Sequence, residues 1–378
     1  MQKLNKYLVA LSLLPLLATA DVKIDSYTFG GLKARSIGPA VMSGRISAID
    51  VTAKDVLTIY VGTASGGVWK SKDGGVGFKP IFDKHTQSIG AIKIDPSNDE
   101  TIWVGTGESW VRNTASVGDG VYVSNDGGDK WQHVGLDKTE RIAAIEISSE
   151  DKNTVFVCAT GALWSDSTHR GVFKTTDGGK NWKKVLYLNP KNGCSDLVID
   201  PNNPNIVYAG MWEFRRYPDF FESGGKSSGL YRSTDGGETW KQLTKGLPKD
   251  EKGRISLAIA PSKTTTVYSV IESKNTAIYR SQDMGNSWQE MGDAGIVQMR
   301  PFYFGELKVD PEDENRVYKP SFTIAVSENG GKSFSSMFTG GFNLSMHPDL
   351  HAMWIDSKNP NTLILGTDGG VYISHNKG

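Results

Sequence analysis

The sequence predicts an all-β chain, a seven-bladed β-propeller of four-stranded antiparallel blades. Three observations predict it: a short box recurs along the 378 residues, each box sits in the same succession of short strands, and helical periodicity is nearly absent. The box reads Ser/Thr-x-Asp-x-Gly followed by an aromatic. It stands at Ser71 and Asp73 with Phe78, Ser124 and Asp126 with Trp131, Thr175 and Asp177 with Trp182, Ser233 and Asp235 with Trp240, and Ser281 and Asp283 with Trp288. Asn329 replaces the Asp in a sixth copy, Ser327 to Phe334, and a seventh opens at Ser374 and Asn376. The spacing stays near ~50 residues, a period of propellers and related repeat arrays.

In chain order, Lys3 and Lys6 precede an apolar run from Tyr7 to Leu17, and Ala18-Thr19-Ala20 follows as a small-residue cleavage site. Residues 1–20 are therefore expected to be a signal peptide, and 21–378 an exported propeller, periplasmic or secreted. The apolar run is shorter than the roughly 20 residues a spanning helix needs and no later one approaches that length, so no membrane span is expected. Residues 27–38 belong to no repeat of their own. They are expected to supply the outer strand of blade seven and so remove the open edges of the array.

Each repeat then follows one grammar, as in Ile89–Asp95, Thr101–Val104, Gly120–Ser124 and Trp131–Val134: four strands, one blade. Asp95-Pro-Ser-Asn98 and Asp200-Pro-Asn-Asn203 supply hairpin turns. In the box, Asp and Ser side chains can bond the hairpin backbone while Gly takes the positive φ that other residues resist. Asp73, Asp126, Asp177, Asp235, Asp283 and Asn329 are accordingly expected to be structural.

Lys plus Arg and Asp plus Glu both total 42, and no basic cluster stands out, so nucleic acid is not an expected partner. No cofactor is expected either. Cys158 and Cys194 are the only cysteines; an exported compartment would permit one bridge between them but not a disulfide scaffold.

With Ser43-Gly-Arg45-Ile, Gly62-Thr-Ala-Ser-Gly-Gly-Val-Trp69, Arg300-Pro-Phe-Tyr303 and Leu365-Gly-Thr-Asp368-Gly-Gly-Val-Tyr372 beside the boxes, the chain resembles the Asp-box (BNR) propeller superfamily, most closely its exported bacterial sortilin-like and glycosyl hydrolase members. Such relatives usually continue into a further propeller, so a second propeller beyond the C-terminus is an expected partner. Xyloglucanase-type members place a catalytic Asp in the Thr-Asp-x-Gly-Gly turn of their first blade. Here that turn reads Thr63-Ala64-Ser65-Gly66-Gly67, without the carboxylate. Their other catalytic Asp comes from the second propeller. Sialidases share the boxes and grip the substrate carboxylate with an arginine trio; Arg45 and Arg141 open matched inner strands here, with Arg254 within a residue of the match.

The face opposite the boxes is the expected binding face, because blades two to four carry long loops there: Glu108–Asp119, Gly161–Arg170 and Met211–Ser228. These loops are rich in aromatics and arginines, suited to stacking on sugar rings or gripping a peptide. The candidate ligand-binding residues are Arg45, Trp110, Arg112, Arg141, Trp164, Trp212, Arg215, Tyr217, Tyr303 and His351. The candidate catalytic carboxylates are Glu213, Asp219 and Asp368, with Glu108, Asp166 and Glu222 also on the loops. No metal is the leading expectation. His347, Asp349 and His351 are the candidate ligands for one, because they alternate and an extended strand would turn all three to one side. The leading functional expectation is a sortilin-like propeller binding a glycan or an exported peptide or protein. The alternatives are a glycoside hydrolase of the xyloglucanase type and an envelope assembly scaffold.

Overall fold

The computed structural model describes residues 44–292, 294–337 and 346–378. The signal peptide expected at 1–20 and the ring-closing strand expected at 27–38 lie outside the described residues. Blade one comprises Ile46–Val51, Ile59–Thr63, Val68–Ser71 and Lys79–Pro80, paired antiparallel in that order. The same meander repeats from the innermost strands Ile89–Asp95, Ile142–Ile147, Asn192–Ile199, Ile255–Ile259 and Lys308–Val309. Blade seven shows three strands among the described residues, Leu350–Ile355, Leu363–Thr367 and Gly370–Ser374. Among the described residues there are seven antiparallel blades and one four-residue helix, Ala294–Val297, and the protein is a seven-bladed β-propeller.

The boxes lock the outer hairpins. Ser71 Oγ donates to Asp73 Oδ1 at 2.7 Å and accepts from Gly75 N at 2.9 Å, while Asp73 Oδ1 accepts from Gly77 N at 2.9 Å. Asn329 substitutes for Asp without loss of these bonds, its Oδ1 accepting from Ser327 Oγ and Ser333 N, both at 3.0 Å. Two box tryptophans also bind the preceding blade, Trp131 Nε1 donating to Ile81 O and Trp182 Nε1 to Val134 O.

The core lies between blades, and glycines of the second strands make room for it. A Cβ on Gly62 would stand 2.6 Å from Ile89 of the next blade, one on Gly105 2.5 Å from Ile142, and one on Gly366 2.5 Å from Ile46. The last of these is the closing contact, where blade seven receives the β-branched side chain that opens blade one. Cys158 and Cys194, both fully buried, are disulfide-bonded across blades three and four.

Candidate functional site

Every innermost strand starts, and every second-to-third-strand loop turns, on the face opposite the boxes. The central channel runs down from it, a cavity of about 450 Å³ lined by alternating charges, with Lys93 paired to Glu146 at 2.8 Å and Lys308 to Glu306 at 3.0 Å. At its mouth Arg45 makes a two-pronged ion pair with Glu108, which is 1% exposed. Burial pushes Glu108 up to about 7, against the pull of Arg45.

Beside that pair, His351 Nε2 meets Asp368 Oδ1 at 2.8 Å and Arg112 Nη1 stands 3.7 Å from Asp368 Oδ2. Burial lowers the His351 pKa, so the ring is neutral; donating from Nε2, it keeps a lone pair on Nδ1. Burial pushes Asp368 up, but the His351 hydrogen bond and the charges of Arg112 and Arg45 outweigh it and hold the carboxyl below its ordinary range. Asp368 sits in a Thr-Asp-Gly-Gly turn in which Thr367 Oγ1 accepts from Gly369 N at 2.9 Å, as Thr63 Oγ1 accepts from Gly66 N at 2.8 Å in blade one. Blade seven thus presents a carboxylate where blade one has Ala64.

Aromatics enclose the imidazole: the Tyr303, Trp110 and Phe304 rings lie 5.3, 5.6 and 6.0 Å from that of His351. Four buried polar atoms in this group have no partner among the described residues: Trp110 Nε1, Tyr303 OH, His351 Nδ1 and Asp349 Oδ1. Such atoms cost free energy unless water or a ligand meets them. Asp349 is tied to Asp368 through the backbone, Asp368 N donating to Asp349 O at 3.1 Å.

Sequence candidates fall into groups. Arg45, Trp110, Arg112, Tyr303, His351 and Asp368 come together at the mouth. Arg141 does not join them as a free cation: it is 1% exposed, donating to Glu140 and to Ala115 O. Arg254 lies 4.5 Å from the Trp110 ring and 5.4 Å from that of Trp212, its Nη1 donating to Phe302 O and Tyr303 O. The arginine trio inferred from matched repeats is therefore spent on internal contacts. Trp212, expected to stack on ligand, is fully buried with Phe214, Val111 and Leu163.

The remaining candidates occupy the blade-four loop, where Val207–Arg216 continues past the blade to pair with Phe221–Ser223. There Arg215 pairs with Asp166 at 2.7 Å, Tyr217 stacks on Phe220 at 4.3 Å, and Glu213 accepts from Ser227 Oγ at 2.6 Å. Glu213 lines a cavity of about 500 Å³ with Arg215 and Tyr217; Asp219 is exposed on the loop tip and Trp164 is 43% exposed. The metal alternation does not hold. Asp349 takes φ 63° ahead of the strand, and exposed His347 faces its own turn, with Nδ1 2.8 Å from Pro348 O. Among the described residues no group of His, Cys, Asp and Glu is arranged to hold a metal ion.

Sequence reasoning named Asp368 and His351 separately and missed that they pair. It also left Glu108 without its partner Arg45, and Asp349 without its place beside Asp368. The Thr-Asp-Gly-Gly turn was the available signal.

A xyloglucanase from Hypocrea jecorina is 24% identical over 317 residues, 76% of this chain and 34% of the relative. A xyloglucanase from Paenibacillus sp is 27% identical over 175 residues, 44% of this chain and 13% of the relative. The chain thus spans about a third or less of the length of these curated relatives. Among solved structures, the GH74 xyloglucanase from Xanthomonas campestris matches with a TM-score of 0.64 at 16% identity, over 90% of this chain and 53% of that one. YCF48 from Cyanidioschyzon merolae matches at 0.57 and 14% identity, over 89% and 96%. Both likenesses are of fold. The family model Sortilin-Vps10 (Sortilin, neurotensin receptor 3) matches residues 66–198 and 119–268. Those matches run together from residue 66 to residue 268, more than half of the 378 residues, and the chain belongs to the Sortilin-Vps10 family.

Proposed function

We propose that the channel mouth is a carbohydrate site of the glycoside-hydrolase type, with Asp368 and Asp349 as its two carboxylates. One observation carries this reading: Asp368 is held ionised by His351 and Arg112 next to Asp349, whose buried oxygen has no partner among the described residues, at the edge of an open cavity of about 400 Å³. That volume is in the range of small-molecule sites. Hydrolysis needs such a pair. One of the two carboxyls gives a proton to the glycosidic oxygen as its bond to the anomeric carbon breaks; water adds to that carbon and loses its proton to the other. The Tyr303 hydroxyl supplies a hydrogen-bonding group at the cavity wall. Glu108, enclosed behind Arg45, holds that arginine rather than substrate. The similarity to xyloglucanases supports the class, and the Cys158–Cys194 disulfide together with the leader-like first twenty residues supports export.

The test is release of reducing ends from a panel of polysaccharides. Asp368→Asn keeps an acceptor for His351, and Asn tolerates the left-handed backbone at 349, so Asp368→Asn and Asp349→Asn should fold. Each should lower turnover by about 10²-fold or more. Full turnover in both variants would sink the assignment.

A second reading is a binding propeller without turnover. The exposed Trp164 and Phe220 on the long loops favour it, as does the fold likeness to a structure titled YCF48 bound to D1 peptide, TM-score 0.58. Binding of a polysaccharide with no release would favour that reading.

A further inference from the structure

The cavity of about 400 Å³ beside Asp368 has a feature that hydrolysis alone does not need: Arg112, Arg216 and Arg300 all line it, against one carboxylate, Asp349. They arrive from three separate parts of the chain, the blade-two loop, the blade-four loop and the segment leading into blade six. Among the described residues neither Arg216 nor Arg300 has a carboxylate within ion-pair distance, and Arg300 is exposed. Arg216 is instead oriented by neutral groups, Nη2 donating to Asn113 Oδ1 and the guanidinium lying 5.2 Å from the Phe221 ring. Arg112 lies 5.7 Å from the Tyr303 ring. The Tyr303 hydroxyl, on a residue 6% exposed that lines the same cavity, has no partner among the described residues. Arg300 holds a left-handed backbone, φ 47°, at the point where its carbonyl accepts from Tyr303 N and Phe304 N, an arrangement that seats arginine and tyrosine together.

Resting on the carbohydrate reading above, we propose that this cavity is an anion subsite and that the saccharide bound is acidic, its carboxylate received by Arg112, Arg216 and Arg300 with the Tyr303 hydroxyl donating to it. Guanidinium groups suit a carboxylate because their fork of donors matches its two oxygens and they stay charged. A neutral saccharide would leave Arg216 and Arg300 facing only the single carboxylate of Asp349 in the cavity, which makes a glucan backbone alone a poor match. Uronate-bearing chains fit the chemistry.

The experiment is calorimetric titration of the full chain with tetragalacturonate, its methyl ester, a hyaluronan tetrasaccharide, a neutral xyloglucan heptasaccharide and a tetraglutamate peptide. The expected result is binding of one or both uronates, at least tenfold weaker binding of the methyl ester, and weakening with added salt. Arg300→Gln should lose tenfold or more of the uronate affinity and Arg300→Lys should recover only part, with both unfolding at the wild-type temperature. Equal binding of xyloglucan and uronate, or Arg300→Gln binding as wild type, would overturn the anion subsite while leaving the carbohydrate reading intact. Binding of tetraglutamate and of no saccharide would overturn both, as would binding of none of the five.

Discussion

The two faces of this propeller treat most of their polar groups differently, although Asp95 Oδ2 and Trp103 Nε1, beside the box hairpin of Asp177, are also buried without a partner among the described residues. On the box face, carboxylates near the surface are saturated by their own hairpins: Asp177 takes hydrogen bonds from the side chain and backbone of Asn181 and from Thr175, which hold it down at about 2. At the channel mouth, side chains are more deeply buried and less well matched, with Trp110 Nε1, Tyr303 OH, His351 Nδ1 and Asp349 Oδ1 left without partners. A satisfied network rigidifies, while each unsatisfied buried group costs free energy unless water or a ligand meets it. On the proposed reading, the contrast separates groups that build the ring from groups that would meet a ligand, although both sets are made of the same residue types.

Substitutions on the box face should therefore change stability alone. Ser233 is buried, and its Oγ accepts from Gly237 N at 2.8 Å while donating to Asp235 at 2.7 Å. Ser233→Ala should cost about 1–3 kcal/mol in urea unfolding, because a buried amide loses its acceptor, and saccharide affinity should not move. A loss of affinity at constant stability would erase the distinction between the faces.

The faces should also respond to pH with opposite sign. Asp177 is depressed in the fold, so its contribution is present above its ordinary 3.8 and is lost as pH falls toward about 2. Glu108 is raised, so the folded protein keeps a proton that the unfolded chain releases; stability from this group is greatest below its ordinary 4.5 and falls as pH rises to about 7. Urea midpoints measured against pH should lose their acid limb in part in Asp177→Asn and their slope between 4.5 and 7 in part in Glu108→Gln. Unchanged profiles in both variants would contradict the assigned charge states.

The architecture is readable in the sequence because the box is local: Ser, Asp and Gly within five positions make their bonds to one another, and repetition multiplies the signal. The mouth is assembled from residues far apart in the chain. Asp368 bonds His351 across 17 positions and Glu108 bonds Arg45 across 63, and no pattern of spacing encodes such pairs. Repeat alignment set Tyr303 near Arg45 and Arg141, while His351 was named from its alternation with His347 and Asp349. Alignment matched the strand starts of Arg141 and Arg254 but gives only the direction of a side chain, not whether neighbouring loops have already enclosed it. Loop composition alone misassigned Trp212 for the same reason: its own strand, Val207–Arg216, folds back as a hairpin with Phe221–Ser223, and Phe214 and Phe221 close against the indole.

The central claim, that the unpartnered groups at the mouth meet the ligand, is tested most directly by Tyr303→Phe set beside Trp164→Ala, with affinity for the best-bound saccharide and unfolding temperature measured for each. Removing a hydroxyl that has no partner among the described residues should leave the unfolding temperature within a degree or two while weakening saccharide about tenfold, and Trp164→Ala should bind within about twofold of wild type. Wild-type affinity in Tyr303→Phe with lost affinity in Trp164→Ala would move the site from the channel mouth to the outer loops and contradict the account.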